Sequence, residues 1–156
     1  MTESFHDATW LARTRAEGDV TAWLERLPYA RYVGISATQD SSGGGLVFHM
    51  EPREHNIGNI LLPALHGGVV AAFMETAGTL DLMLSAREPR LPRIVDFSID
   101  YLRTARVVTT HARCQLLREG RRLANVQVTA WQDDESQPVA TSRLHLVLGT
   151  PEPNDA

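Results

Sequence analysis

The stretch LHGGVVAAFMETAGTL, residues 65–80, determines how the rest of the chain is interpreted. Apolar side chains occur on nearly all sides of a helix drawn through residues 67–86, which is typical of a helix buried in a core. One carboxylate, Glu75, lies in the middle of this run. Because a charge is rarely buried without a partner, Glu75 either reaches solvent on a polar stripe with Thr79 and Asp81 or has a chemical role.

The helix is preceded by the tripeptide His66-Gly67-Gly68. Two glycines at the start of a helix let the backbone come close to a ligand. The unpaired N–H groups of a first helical turn point outward with the positive end of the helix dipole, which suits a developing negative charge on oxygen. A tight loop-to-helix turn would use the same three residues, and both interpretations remain open at this point.

The distance between the two features limits how they can cooperate. Gly67 and Glu75 are eight positions apart, which is about 12 Å along a helix axis. One carbonyl carbon cannot lie within about 3 Å of both groups of the same helix. If both act on one substrate, the Gly67 amide of one chain faces Glu75 of another, which predicts a dimer with two shared sites. Thr79 lies one turn after Glu75, where its hydroxyl could hold the carboxylate or a water molecule.

The remaining pattern predicts helical pieces at the start of the chain and strands on both sides of the long helix. The helical pieces fall at 7–27 and end at Pro28, and a loop occupies 52–64. The expected strands are 31–38, 45–51, 95–102, 107–118, 122–132 and 139–148. In the third of these, Val95, Phe97, Ile99 and Tyr101 should share one face. We therefore expect an α+β fold, with an antiparallel sheet of about six strands around one central helix.

The domain organisation predicted from this pattern is simple. An N-terminal helical segment covers residues 1–28, a single domain covers 29–150, and a frayed tail covers 151–156. The sequence shows no internal repeat and no linker between domains.

Composition excludes several classes of protein. A net charge of −4 over 156 residues disfavours binding to nucleic acid or to anionic membranes. The single cysteine, Cys114, allows no internal disulfide and no CxxC metal site, and we expect an unreactive thiol in a strand. The histidines have no metal-ligand spacing, so no metal is expected. We see no signal peptide and no run of about 18 apolar residues, which leaves the cytoplasm as the expected location.

Three segments together resemble a known family. LHGGVVAAFMETAG, then VDFSIDYLR, then GRR before an alternating strand, resembles the hotdog-fold acyl-CoA thioesterases of the phenylacetic-acid-degradation type. That group also includes 4-hydroxybenzoyl-CoA thioesterases, and the resemblance covers about residues 30–149. It implies a hotdog fold, a homodimer or dimer of dimers, and hydrolysis of an acyl-CoA to a free acid and CoA. No cofactor is implied, because CoA is part of the substrate.

The resemblance also implies roles for individual residues. The Gly67 N–H would polarise the thioester carbonyl, Glu75 of the partner chain would be the acid, and Thr79 matches a threonine of the glutamate-bearing branch. His66 could be a general base, although a loop histidine of this kind more often orients the turn. The implied substrate contacts are the close backbone approach at Gly68, and Arg103 and the Gly120-Arg121-Arg122 turn for the CoA phosphates. For Arg121 and Arg122 a solvated charged turn is the alternative.

The sequence departs from the family pattern in front of the helix. Relatives carry Asn or Gln six residues before the histidine, where this chain has Ile60, and Pro63 replaces a common glycine. Asn59 or Asn56 could take over the task of holding the carbonyl. Another departure is Ile94, where the aspartate branch has a small hydroxyl residue.

The chemistry is open at this stage. Glu75 could act as general base on water or attack the carbonyl itself to form a mixed anhydride. The alternative functions are a hotdog hydratase or dehydratase, which needs an acid–histidine pair poised for proton abstraction, and a non-catalytic acyl-CoA-binding protein. The sequence does not identify the acyl group.

Overall fold

The computed structural model describes residues 15–16, 20–59, 61–88 and 90–149. Two short helices come first, α1 (Val20–Arg26) and α2 (Pro28–Val33), and the long helix is α3 (Gly67–Ser85). The strands before α3 are β1 (Ile35–Gln39), β2 (Leu46–Met50), β3 (Ile57–Asn59) and β4 (Ala64–Leu65). The strands after it are β5 (Pro92–Tyr101), β6 (Thr110–Glu119), β7 (Leu123–Trp131) and β8 (Ala140–Leu148).

Six strands form one antiparallel sheet in the order β1-β2-β6-β7-β8-β5, and α3 packs against it. This arrangement confirms the expected α+β hotdog fold. β3 and β4 pair separately as a two-stranded sheet inside the segment that the sequence predicted to be a loop. β5 is an edge strand, and it is hydrogen-bonded only to β8 within the described chain.

The helix lies very close to the middle of the sheet. A Cβ atom on Gly78 would be 3.0 Å from Leu144 Cδ2 and 3.0 Å from Val128 Cγ2. The strands beneath contribute several small buried side chains, namely Ala112, Ala124, Ala130 and Ala140. Small residues on both surfaces therefore let the two backbones approach.

α3 is long enough and apolar enough to cross a membrane, if only length and composition are considered. No such segment was expected from the sequence. In the structure its large side chains, among them Phe73, Met74 and Leu82, are instead buried in the core shared with the sheet. Core helices pass the same test of length and composition.

The beginning of the fold differs from the sequence prediction. Residues 31–33 belong to α2 and not to a strand, because Pro28 begins a second helix instead of only ending the first. Proline fits the first position of a helix, where its missing N–H costs nothing. Gly34 ends α2 with φ of +88°, a conformation that favours glycine. Residues 7–14 and 17–19 of the predicted helical pieces, and the predicted tail 151–156, lie outside the described residues.

The alternation predicted for 95–102 is wrong at its first position. The β5–β8 register shifts between Ile94 and Asp96, and Val95 is 58% exposed. A β-bulge inserts one extra residue into a strand, so the side chains before it lie on the opposite face from the one that strict alternation predicts. As a result Ile94, and not Val95, shares the inner side of the strand with Phe97 and Ile99.

We predict that Gly78→Val lowers the free energy of unfolding by about 1–3 kcal/mol, because its branched side chain would push α3 off Leu144 and Val128. Chemical denaturation would measure this. Ser85→Val, at an exposed position at the end of the same helix, is the control for the β-branched side chain. Equal stability of the two variants would contradict the close packing.

Candidate active site

The first turn of α3 is held from several directions. The His66 imidazole caps the helix, with its Nδ1 accepting a hydrogen bond from the Gly68 N–H at 3.0 Å. The His66 N–H donates to the Asn56 carbonyl at 2.8 Å. The Tyr101 hydroxyl, on the edge strand β5, donates to the Gly67 carbonyl at 2.7 Å. The peptide unit between Gly67 and Gly68 is thus clamped at both its oxygen and its N–H.

One backbone donor of this turn is left over. The His66 carbonyl accepts from the N–H groups of Val69 and Val70 at 2.9 and 3.1 Å. Among the described residues, only the Gly67 N–H at this turn has no hydrogen-bond partner. A fixed, unpaired N–H at the positive end of a 19-residue helix is suited to binding a carbonyl oxygen that gains negative charge.

Glu75 lies eight residues further along, at the wall of a cavity of about 390 Å³. The polar residues of this wall are Glu75, Thr76 and Thr79. The apolar part of the lining comes from α1 and the residue after it, from α3, and from β5 and the residue before it: Trp23, Leu27, Leu80, Met83, Leu91 and Ile94. Glu75 is half-buried, so the alternative of an exposed polar stripe does not describe its position.

Two of the three polar groups are free for chemistry. The Thr76 hydroxyl donates to the Ala72 carbonyl at 2.8 Å, within the helix. In the described part of the chain, neither the Glu75 carboxylate nor the Thr79 hydroxyl has a hydrogen bond or an ion pair. The structure therefore brings Glu75 and Thr79 together in one cavity, with no other polar group competing for them.

The structure does not bring Glu75 and Gly67 together. Gly67 lines a different cleft of about 180 Å³, whose wall includes Tyr101 and Arg103. Eight helical residues, about 12 Å, separate the two groups along α3. Within one chain, the free amide and the carboxylate cannot reach the same carbonyl group.

His66 is committed to the turn. Because its Nδ1 accepts from Gly68, the neutral imidazole carries its proton on Nε2. That nitrogen can donate a hydrogen bond but cannot accept a proton, which does not suit a general base.

The backbone of β3 passes very close to His66 at Gly58. A Cβ atom on Gly58 would be 2.7 Å from the His66 Cα, so a glycine at this position permits the approach.

The two asparagines have different surroundings. Asn56 is 1% exposed, and its Nδ2 donates to the Val33 carbonyl at 2.8 Å, so its amide ties loops together in the interior. Asn59 is exposed, and its Oδ1 accepts from the N–H groups of Leu61 and Leu62 at 2.9 and 3.2 Å. Of the two, Asn59 alone presents an amide NH₂ at the surface in front of the helix.

The expected CoA contacts fall at opposite ends of α3. Arg103 lies beside Gly67 and donates to the Pro138 carbonyl and to Gln137 Oε1, both at 2.7 Å. The Gly120-Arg121-Arg122 turn lies near the C-terminal end of the helix. Two hydrogen bonds hold the turn there. The Arg90 guanidinium donates to the Arg121 carbonyl at 2.7 Å. The backbone N–H of Arg87, just after α3, donates to the Glu119 carboxylate at 3.1 Å.

Sequence reasoning missed two parts of this region. The Tyr101 hydroxyl was assigned only to a strand face, and the α1 wall of the cavity was assigned to a separate N-terminal segment. Trp23 and Leu27 are one helical turn apart in the predicted helical pieces at 7–27. This spacing signals an apolar face but not the surface that the face covers. The bulge at Val95, which turns Ile94 inward, has no signal in the alternation itself.

Asp81 is a second carboxylate of α3, and it lies outside the cavity lining. Burial raises the pKa of Asp81 to about 6, so the alternative of an exposed polar stripe does not describe this residue either. Burial, and then the negative charge of Asp81, raise the pKa of the Cys114 thiol well above its usual range. The thiol therefore stays protonated and unreactive at neutral pH, in agreement with the expected role of Cys114.

The family model of the thioesterase superfamily matches residues 62–139, which include the first turn of α3, Glu75 and Arg103. The chain belongs to the thioesterase superfamily. Membership makes this protein a thioester hydrolase.

Proteins of several bacteria are similar to most of the chain. A medium/long-chain acyl-CoA thioesterase of Salmonella typhimurium, YigI, is 27% identical over 139 residues, 80% of this chain and 88% of that protein. A crystal structure of a Chromobacterium violaceum protein is 39% identical, with a TM-score of 0.72, over 92% of this chain and 99% of that one. A Haemophilus influenzae thioesterase structure shares the fold at 24% identity and a TM-score of 0.71, over 81% of this chain and 86% of that one.

We predict that Asp81 makes this thioesterase lose stability as the pH rises. Its folded pKa of about 6 lies above the unfolded value of 3.8, so ionisation favours the unfolded chain. Asp81→Asn should match the wild type near pH 4. It should become more stable by up to roughly 3 kcal/mol above pH 7. Denaturation at a series of pH values would measure the difference.

Glu25→Gln, at an exposed position on α1, controls for the loss of one negative charge. A difference between Asp81→Asn and the wild type that stays constant with pH would contradict the burial of an ionised Asp81.

Proposed function

We propose that the protein hydrolyses acyl-CoA thioesters in a site shared by two chains, with Glu75 of one chain and the Gly67 N–H of the other acting on the same carbonyl. The observation that carries this proposal is the separation of two unpaired groups. The Gly67 N–H and the Glu75 carboxylate have no partners among the described residues, yet they are about 12 Å apart on one helix.

In the proposed reaction, the Gly67 N–H holds the thioester oxygen while negative charge develops on it, an effect worth on the order of 3 kcal/mol in comparable sites. Glu75 takes a proton from a water molecule, and the water oxygen attacks the carbonyl carbon. The carbon–sulfur bond then breaks, and the thiolate of CoA takes up that proton. In the second route Glu75 attacks the carbon directly and the carbon–sulfur bond breaks, which gives a mixed anhydride and the CoA thiolate. Water then cleaves the anhydride and supplies the proton that the thiolate takes up. Thr79 positions either the carboxylate or the water.

The shape of the chain supports pairing of two copies. β5 has ten residues and no strand partner on its outer side within the described chain, which is an edge that proteins usually cover. Exposed apolar side chains occur at the end of β5 and in the segment before α3, namely Tyr101, which is 54% exposed, and Leu61, which is 96% exposed. A twofold axis beside β5 would cover them and would run the two copies of α3 antiparallel. The resemblance extends this homodimer to a dimer of dimers.

Charge supports a polyphosphate ligand. The chain carries −4 overall, yet Arg90, Arg121 and Arg122 are close together at the end of α3. Arginine is suited to phosphate because its planar group offers several donors. Arg103 lies beside Gly67, so the two basic groups of opposite chains would flank one shared site. The proposal requires no cofactor or metal, and it places the reaction in the cytoplasm.

The substrate class follows from the relative and from the cavity. The Salmonella protein is named for medium and long acyl chains, and six of the nine residues that line the cavity beside Glu75 are apolar. We propose medium- to long-chain acyl-CoA as the substrate. A hydratase would need a histidine ready to accept a proton, and the Nδ1 of His66 is occupied by Gly68.

The Gly67 amide can be tested with two substitutions at one position. Gly67→Pro removes the N–H at the first helical position, where proline fits, and the preceding His66 already has the extended ψ of 129° that proline requires. We expect a loss in kcat of about a hundredfold. Gly67→Ala keeps the N–H and adds a similar Cβ, 3.2 Å from the Tyr101 hydroxyl, so it controls for crowding. Equal losses in both variants would contradict the role of the amide.

Glu75 and the sharing of the site can be tested together. We expect Glu75→Gln to lower kcat at least a hundredfold, while Asp81→Asn, on the same helix, keeps it. A mixed dimer of Glu75→Gln and Gly67→Pro chains has one site that holds both native groups. Co-refolding the two inactive variants should therefore restore about a quarter of the wild-type rate. No recovery in dimers shown to be mixed would mean that the two groups do not meet across chains.

A further inference from the structure

The cavity beside Glu75 is built within one chain, and its wall opposite the helix comes from the N-terminal part of the protein. Trp23 and Leu27 of the α1 region face it on one side, and Leu91 and Ile94, before and within β5, face it on another. The N-terminal helical segment predicted at residues 1–28 was separate from the domain at 29–150, so the sequence did not indicate that α1 forms part of this wall.

The polar groups of this cavity are confined to one stretch of its wall. Glu75, Thr76 and Thr79 lie along the first half of the α3 side, and Leu80 and Met83 follow them. Glu75 and Met83 are eight residues apart, so the apolar part extends about 12 Å from the carboxylate along the helix. A ligand with a reactive polar head and a long apolar tail fits such a cavity, whereas an amide-bearing chain would leave its polar groups unpaired there.

We propose that this cavity binds the acyl chain of the substrate, and that α1 and the residues before β5 set the longest chain the enzyme accepts. The inference rests on the proposed acyl-CoA hydrolysis and adds the location of the acyl group. The carbonyl lies at Glu75, and the methylene groups extend toward Met83. Leu27 and Leu91 limit the width and length of the space from the side opposite the helix.

Leu91 is the best position for a test, because it lines the cavity and is still 37% exposed, so a larger side chain has room to enter. Leu91→Trp should narrow the cavity and Leu91→Ala should widen it. Leu117→Trp is the matched control, at a 49% exposed leucine of β6 that does not line the cavity. The measurement is kcat/KM for butyryl-CoA and for dodecanoyl-CoA, with the melting temperature of each variant.

The expected result for Leu91→Trp is a loss of tenfold or more, on the order expected for pocket contacts, with dodecanoyl-CoA, and a change of less than about threefold with butyryl-CoA. Leu91→Ala should shift the preference toward longer chains, and Leu117→Trp should leave both values unchanged. Leu27→Phe should repeat the loss for the long substrate from the α1 side.

Three results would overturn the inference. If Leu91→Trp leaves both substrates unaffected, the acyl chain does not enter this cavity. If it impairs both equally at an unchanged melting temperature, the cavity holds the part that both substrates share, which is the pantetheine arm of CoA. If Leu91→Trp does not fold, an unchanged chain-length profile for Leu91→Ala overturns it. Failure of the proposed function has a different signature, because the wild type would then cleave neither ester.

Discussion

The hydrogen bond from the Tyr101 hydroxyl to the Gly67 carbonyl ties the first turn of the long helix to the edge strand of the sheet. This hydrogen bond holds the carbonyl of the peptide unit between Gly67 and Gly68, and the N–H of the same unit donates to His66 Nδ1. The two bonds together fix the orientation of the neighbouring Gly67 N–H. The same strand contributes Ile94 to the cavity beside Glu75. β5 therefore supports both halves of the proposed chemistry, one at each end.

The site also shows how a local charge can differ from the overall one. The chain is acidic, and its composition gave no reason to expect an anionic ligand. Folding places the β6–β7 turn, with Arg121 and Arg122, against Arg90, whose side chain is held by Glu88 and by the Arg121 carbonyl. The resulting basic corner is a property of tertiary structure. The net charge of the chain describes only the electrostatic field far from the protein, and not the charge at one part of its surface.

Much of the architecture could be predicted from local pattern, and the exceptions have physical causes. The long helix and the four strands after it were located to within a few residues, because their hydrophobic periodicity is strong. Residues 31–33 were assigned to the wrong element, since proline can begin a helix as well as end one. Val95 was placed on the wrong face because a bulge depends on pairing with β8, which no single strand encodes.

The candidate site was also predictable only where the signal is local in the sequence. His66, Gly67 and Glu75 are marked by unusual residue types in an apolar segment, so the sequence points to them directly. Tyr101, Trp23 and Leu91 are ordinary strand, helix and loop residues, and their positions near the site depend on how distant segments pack. The free Gly67 amide could be suggested from helix geometry, but only the hydrogen bonds around it show that its neighbours are occupied.

The small residues between α3 and the sheet have a consequence for how substrate preference can evolve. With Gly78 against Leu144 and Val128, and alanines across the sheet, the helix cannot move closer to the strands, and a larger residue at that interface would displace it. Changes on the sheet side would disturb the whole fold. Leu27 and Leu91 line the same cavity from short connecting segments and are partly exposed, so substitutions there disturb the core less. Under the proposed acyl-binding role of the cavity, substitutions at these positions would change the acyl preference while α3 stays in place.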